Sequence, residues 1–335
     1  MSNPVLVEVT RGGRVESRHR GAAIVVDAAG DKVWALGDTD APIYPRSAVK
    51  AMQAMVLVES GAADSLGFGD RELALACSSH SGEPAHVELV SAMLARVGKD
   101  ESTLECGCQW PSRLKVSIAL ARTGESASQL HNNCSGKHTG FICTACHLGI
   151  DPTGYIRYGH EIQDMIRSVM ADVTGDHFGV DNCATDGCSI PTYAVPLTSL
   201  AHGFARMSTG FGLDATRAAA AERIMSACMA EPYFVAGEGR ACTRLMQTAP
   251  GQIFAKTGAE GVFCAALPQQ GLAIALKCDD GGARAADAMV AGVLARFIDA
   301  DEDVKDALMQ QANKPVKNWN GLETGRLKLT EALAS

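Results

Sequence analysis

Tyr44-Pro45-Arg46-Ser47-Ala48-Val49-Lys50 is the stretch from which the rest of the chain is read. Pro45 suits the approach to a helix, and the apolar residues Ala51, Met52, Ala54, Met55 and Val58 recur at helical spacing until Gly61. The spacing predicts a helix beginning near Ser47, with Lys50 one turn on along the same face. Helical side chains lean toward the N-terminus, so the Lys50 amine is expected to reach back to the Ser47 hydroxyl. A neutral amine placed there turns an unreactive alcohol into a nucleophile. Burial, the positive end of the helix and a second cation close by all favour the neutral amine.

A Ser-x-x-Lys spacing is common by itself. The chain holds another, Ser112-Arg113-Leu114-Lys115, which reads as a capping serine followed by a solvated lysine. What sets the first apart is Lys256-Thr257-Gly258, on a strand expected over 253–257. Ser-x-x-Lys with Lys-Thr-Gly resembles the framework of the serine β-lactamase and penicillin-binding group, whose third element, Ser-Asp-Asn, is missing here. The resemblance is to the architecture and not to β-lactam chemistry.

A chain of 335 residues, 47% hydrophobic, can bury a full core without covalent staples. Its net charge of −8 and lack of a basic run argue against nucleic acid as a partner. The first residues lack a cationic segment followed by an apolar one, and no apolar run reaches bilayer length. A cytoplasmic location without a membrane partner is therefore expected. In a reducing compartment the 12 cysteines read as buried thiols, metal ligands or reactive groups rather than disulfides. Cys77, Cys228, Cys264 and Cys278 sit in apolar stretches and are assigned to the core. Cys143-Thr-Ala-Cys146-His147 spells the covalent haem signature, but it lies inside a helical apolar pattern with no export signal upstream, so haem is set aside.

Along the chain, residues 5–9 and 21–36 read as an opening antiparallel sheet turning at 28–31. A short helix from Asp70 ends in Cys77-Ser78-Ser79-His80-Ser81-Gly82, a loop that suits either a site or a cap for the next helix, His86–Val97. Residues 131–140, His-Asn-Asn-Cys-Ser-Gly-Lys-His-Thr-Gly, fail the phosphate-loop spacing. They leave Cys134 and Lys137 facing one way at a helix start beside His138; thiolate, imidazole and, more rarely, neutral amine are zinc ligands. A second polar loop, 182–191, carries Cys183, Asp186 and Cys188. The loop 236–244 lacks the third glycine and preceding strand of a dinucleotide site. Helices over 160–171, 197–207, 214–230 and 283–300 and strands over 253–257, 262–267 and 272–277 complete the reading. Strands at both ends with helices between predict an α/β sheet interrupted by a helical region.

Ser47-Ala-Val-Lys50, Cys77-Ser-Ser79-His80-Ser81, Asn133-Cys134-Ser-Gly-Lys137-His138, Thr185-Asp186-Gly187-Cys188 and Lys256-Thr-Gly-Ala-Glu occur in this order. On these motifs the chain resembles the asparaginase II family of class 3, Rhizobium-type L-asparaginases, from about residue 5 to residue 330. The resemblance implies a serine β-lactamase/glutaminase-like α/β fold and a homodimer that hydrolyses L-asparagine to L-aspartate and ammonia. It further implies a single catalytic unit with an α/β part over about 1–42 and 236–335 and a mainly helical part over about 43–235. Carried over residue by residue, it pairs Ser47 with Lys50 and Ser79 with Lys256. It assigns one zinc to Cys134, Lys137 and Cys188, with water as fourth ligand and a role in substrate binding more than in chemistry.

The expected chemistry is attack by Ser47 on the side-chain amide carbon while Lys50 takes its proton, release of ammonia, and hydrolysis of the aspartyl ester. Ser79 and Lys256 are expected to relay protons, and backbone N–H groups at the helix start to hold the oxyanion. Arg46 is the candidate for the substrate carboxylate, Asp186 for its ammonium and His80 for the amide. Cys242 lines the pocket or is a plain buried thiol. Two other functions remain open from sequence: a glutaminase or related Ser–Lys amidase, and a non-enzymatic zinc- or redox-sensing protein.

Overall fold

A computed structural model describes residues 2–334. The chain gathers into two compact units, one formed by 2–48, Val195–Phe211 and 244–334, the other by Val49–Ala194 and Gly212–Thr243.

The first unit is built on eight strands: β1 (Val5–Arg11), β2 (Arg14–Asp27), β3 (Lys32–Leu36), β4 (Phe254–Thr257), β5 (Val262–Leu267), β6 (Leu272–Cys278), β7 (Pro315–Lys317) and β8 (Glu323–Leu329). Their order is β4-β5-β6-β2-β1-β8-β7 with β3 on β2, and every pairing is antiparallel. The two ends of the chain thus meet in one sheet, as the strand pattern anticipated. Along β2 the first half, Arg-Val-Glu-Ser-Arg, alternates between half-buried and exposed, while Ala22–Val26 is buried without a break. β5 is likewise buried throughout, which a strand achieves only when both of its faces are covered. The helices Leu197–Thr209 and Ala283–Phe297 pack against it.

The second unit is mainly helical. Its central helix, Lys50–Glu59, buries every side chain from Lys50 to Leu57 and packs on Ser135–Leu148, Glu161–Thr174 and Ala215–Ala230. Side-chain caps fix where two of these start: His160 accepts from the Ile162 N–H, and Asp214 from those of Thr216 and Arg217. A hairpin, Cys183–Thr185 with Pro191–Tyr193, and the helices Asp70–Ala76 and Pro84–Ala95 complete the frame around the polar motifs.

Several expectations are corrected. The α-helix does not begin at Ser47: Arg46–Val49 is a 3-10 turn and the α-helix starts at Lys50. Arg46 has a φ of 53°, a left-handed backbone that interrupts a regular α-helix just before Ser47. Ser112 is not a cap, because the helix Leu114–Arg122 is preceded at that position by Arg113, whose side chain makes no capping bond. β7, β8 and the helix Glu302–Ala312 were not anticipated.

Candidate active site

In the sheet unit, Lys256 lies on β4 opposite Cys264 of β5, with no exposed surface. Its ammonium donates to the Thr257 carbonyl at 2.9 Å. The strand ends at Gly258, whose N–H is bound by the Val262 carbonyl at 2.7 Å. A Cβ on Gly258 would stand 2.5 Å from the Pro45 carbonyl oxygen and 3.3 Å from the Ala48 nitrogen. Glycine is required there because the end of the Lys-Thr-Gly strand runs directly against the turn carrying Ser47. The Pro45 carbonyl also accepts from Ala48 N–H at 3.1 Å, which holds that turn closed around Arg46 and Ser47.

In the helical unit, Lys50 at the first turn of its helix is 1% exposed. Its ammonium donates to the Ser78 carbonyl at 2.5 Å, to Ser79 Oγ at 3.1 Å and to Cys134 Sγ at 3.0 Å. The amine thus joins a serine of the first polar loop to a thiol of the second. The loop is pinned by backbone bonds from Ser79 N–H to Val235 O and from His80 N–H to Asn133 O. A close approach makes the second pin possible: a Cβ on Gly136 would lie 2.3 Å from the Leu75 carbonyl. The Asn-Cys-Ser-Gly-Lys helix can therefore seat against Asp70–Ala76 only with glycine at that position.

His80 is buried, and both ring nitrogens are engaged. Nδ1 accepts from Gly82 N–H at 3.0 Å, so Nε2 carries the proton and donates to Ser135 Oγ at 2.8 Å. A direct bond from this ring to a substrate amide would have to break one of these. Burial first, then the His86 ring and the Lys50 charge, hold His80 well below the usual histidine range. His138 is held low by burial and by Lys137, with Nδ1 2.7 Å from Tyr155 Oη.

Cys134, Lys137 and Cys188, remote in sequence, are brought together. The hairpin loop turns through Ser189 at φ 76° and presents Cys188. Lys137 Nζ lies 3.0 Å from Cys188 Sγ, which lies 3.2 Å from Asp186 Oδ2. Cys134 is held well below the usual thiol range chiefly by the nearby Cys188 thiol, with Lys50 and Lys137 adding to it against burial. Cys188 is pushed up by the nearby Cys134 and by burial. Burial opposes the charge on Lys137, yet the neighbouring Cys188, Cys134 and Asp186 outweigh it and raise its pKa. Two thiols and an amine, all buried, form a donor set that fits zinc, provided Cys188 and Lys137 give up their protons on binding.

A second group with metal-ligand chemistry stands in the sheet unit: the ligand atoms of His19, Cys278 and Asp280 all lie within 4.8 Å of one another. Its donors are already spoken for. Asp280 accepts from Cys278 at 3.0 Å and from Gly282 N–H at 2.9 Å and pairs with His19 Nδ1 at 2.6 Å; the Cys278 bond first, then those of Gly282 and His19, hold the carboxyl down at about 2 against burial. Arg284 donates to His19 Nε2 at 3.1 Å, so the proton sits on Nδ1, the nitrogen a metal would need.

Of the other expected residues, Cys242 is buried, Asp186 half-buried in its loop, and Arg46 occupies the strained position before Ser47. Sequence reasoning missed Asn132. Its side chain accepts from Cys134 N–H at 2.8 Å and donates to the Cys106 and Gly107 carbonyls at 2.9 and 3.0 Å. It also missed Tyr155, which fixes His138 and accepts from Glu105 N–H at 2.9 Å. The polar block at 131–140 hinted at the first; nothing in the sequence flags the second. Cys77, Cys228, Cys264 and Cys278 are fully buried, as expected. Among the described residues, no helix is long and apolar enough to cross a membrane.

The family model described as L-asparaginase II matches residues 7–329. Among solved structures, a β-lactamase from Mycobacterium bovis is 16% identical over 83% of this chain and 94% of its own, with a TM-score of 0.38. A candidate β-lactamase from Bacteroides dorei is 11% identical over 77% of this chain and 84% of its own, also with a TM-score of 0.38. No match is found among curated proteins.

Proposed function

The chain belongs to the L-asparaginase II family, an L-asparaginase by that membership, and from this premise we propose a mechanism of seryl catalysis beside a zinc cage. Ser47 attacks the side-chain amide carbon of L-asparagine, Lys50 takes its proton, ammonia departs, and water hydrolyses the aspartyl ester. Ser79 and Lys256 pass protons, and Arg46 and Asp186 hold the carboxylate and ammonium of the amino acid. Cys242 serves as a wall of the binding site. The observation that supports this reading is the burial of the Lys50 amine, three residues on from Ser47 and 3.1 Å from Ser79 Oγ and 3.0 Å from Cys134 Sγ; it takes the serine proton in its neutral form. An amine held out of water between a hydroxyl and a thiol is what a proton-transfer group requires. His80, with both nitrogens committed, positions Ser135 and the Asn-Cys block rather than the amide.

Cys134, Lys137 and Cys188 would hold one zinc. When bound, zinc supplies a fixed positive charge that aids binding of the anionic end of the substrate. The family resemblance also supports a homodimer, which sedimentation of the intact chain tests.

The contact between Lys50 and Ser79 favours a second assignment within the same chemistry, in which Ser79 is the acylated residue. Ammonia release from asparagine and glutamine, with and without added zinc, tests the activity and separates an asparaginase from a glutaminase. Ser47→Ala and Lys50→Ala, checked for folding, should each lower kcat about a thousandfold or more. Near-normal turnover in Ser47→Ala together with loss in Ser79→Ala would move the nucleophile to Ser79. No ammonia from either amide would leave only a sensing role for the thiols.

A further inference from the structure

Glu83 ends the loop that carries Ser79, and the chemistry above makes no use of it. It is only 7% exposed. Taking a carboxylate out of water is costly unless partners satisfy its oxygens, and here they do. Oε1 accepts from Glu238 N–H at 3.1 Å, while Oε2 accepts from Tyr233 Oη at 3.1 Å and pairs with Arg113 at 3.2 Å. Arg113 also reaches Glu238 at 2.5 Å, which closes the knot at the surface. Tyr233 lies on the short helix Pro232–Ala236, and Glu238 on the turn that follows it.

That segment is fastened to the Ser79 loop at alternate residues. Ser79 N–H donates to the Val235 carbonyl at 2.9 Å, Ser81 Oγ donates to that of Ala236 at 3.0 Å, and Glu83 takes the Glu238 N–H. The approach is close: Gly237 has a φ of 114°, and a Cβ on it would stand 2.7 Å from both Ser81 Oγ and Glu83 Oε1. Tyr233 reaches the same loop by a second route, its ring stacked on His86 at 4.7 Å and that ring on His80 at 5.0 Å. His80 is the neighbour of Ser79, whose Oγ lies 3.1 Å from Lys50 Nζ. The fastening at Ser79 is one neutral hydrogen bond, whereas Glu83 makes three contacts with a charged group, the stronger kind. We propose that Glu83 is a positioning residue for the amide hydrolysis. By holding Tyr233, Glu238 and Arg113 it fixes the backing against which the Ser79 hydroxyl is set beside Lys50. This rests on the reading that Ser79 takes part in the chemistry, as proton relay or as the acylated residue; Glu83 itself transfers nothing.

The test is steady-state ammonia release from L-asparagine by the full chain, under conditions where urea unfolding shows each variant to be folded. Glu83→Ala removes all three contacts and should lower kcat about tenfold to a hundredfold with KM within about twofold, as an ångström-scale displacement of a reacting group does. Glu83→Gln keeps the length and can still bond Glu238 N–H and Tyr233, so its kcat should return to within about threefold of wild type. On a Ser79→Ala background, read from residual turnover, adding Glu83→Ala should cost less than about twofold more, because residues acting as a unit are not additive. A purely structural role would cost the same on both backgrounds. Should Glu83→Ala not fold, Tyr233→Phe, which loses only the hydroxyl, is expected to lower kcat at least about threefold at unchanged KM. Wild-type kcat in a folded Glu83→Ala or in Tyr233→Phe, a loss confined to KM, or equal losses on both backgrounds overturns the proposal and leaves the role of Ser79 standing. Wild-type turnover in Ser79→Ala alone instead removes that role, and the proposal with it.

Discussion

Gly258 and Asn132 do at the residue scale what no motif announces. Replacing Gly258 by Ala places a methyl 2.5 Å from the Pro45 carbonyl, a backbone atom that cannot rotate away. The Ser47 turn must shift relative to β4, and a displacement of even an ångström in a reacting group costs about a hundredfold in rate. Gly258→Ala should therefore lower kcat for asparagine by one to two orders of magnitude while the chain still folds, read by steady-state kinetics beside circular dichroism. Asn132 uses its amide on three backbone groups at once. Asn132→Ala should destabilise the chain by about 2 kcal/mol, the cost of leaving buried polar groups unpaired, as measured by urea unfolding. An unchanged midpoint would show those groups to be solvated. Ser47, Lys50 and Lys256 were legible as candidates in the sequence because each belongs to a spaced motif. Asn132 and Tyr155 were not, because their partners lie across the fold and no period in the sequence links them.

At the scale of elements, the boundaries follow local chemistry where local chemistry is strong. β5 falls at Val262–Leu267, where an apolar run was read as a strand, and His160 and Asp214 mark helix starts by the bonds they accept. β8 was illegible for a physical reason: Glu-Thr-Gly-Arg-Leu-Lys-Leu buries little, and its strand character comes from pairing with β1, a partner some three hundred residues away. The helix Leu114–Arg122 raises a different matter, since none of its residues is buried and Leu114 is 75% exposed. Its approach is held by Arg113, which pairs with Glu83 at 3.2 Å and Glu238 at 2.5 Å. An element with so little apolar burial opens far below the cost of global unfolding. Hydrogen exchange should find the amides of 114–122 exchanging at least about a hundredfold faster than those of 138–145. Equal protection in the two helices would mean that the first is packed against something beyond the contacts described.

For the molecule as a whole, the joining of both chain ends in one sheet could be anticipated from strands at either end, but the order of those strands could not, because pairing partners are chosen by packing and not by position. Global stability, in turn, depends on groups that are polar yet buried, and pH tests that dependence. His80 accepts a backbone N–H on Nδ1, and His86 donates Nε2–H to the Tyr233 carbonyl at 3.0 Å while its Nδ1 is buried without a partner. Protonating either ring would create an N–H with nowhere to donate. The rings also stack on each other at 5.0 Å, with Lys50, His131 and Arg240 adding positive charge near His80; Glu83 is the opposing anion beside His86. Both pKa values are lowered in the folded state, so the unfolded chain binds more protons below the ordinary histidine value of about 6.5. The stability these neutral rings allow is intact above that value and is lost as pH falls beneath it. Between pH 7.5 and 5.5 the loss from His80 should be on the order of 1 kcal/mol, with a smaller share from His86. Urea midpoints at the two pH values should separate accordingly, and His86→Gln should narrow the gap. A midpoint that does not move, or a His80 ring that titrates near 6.5 in the folded chain by NMR, would mean that water reaches this stack and that the polar core around Lys50 is wetter than its geometry allows.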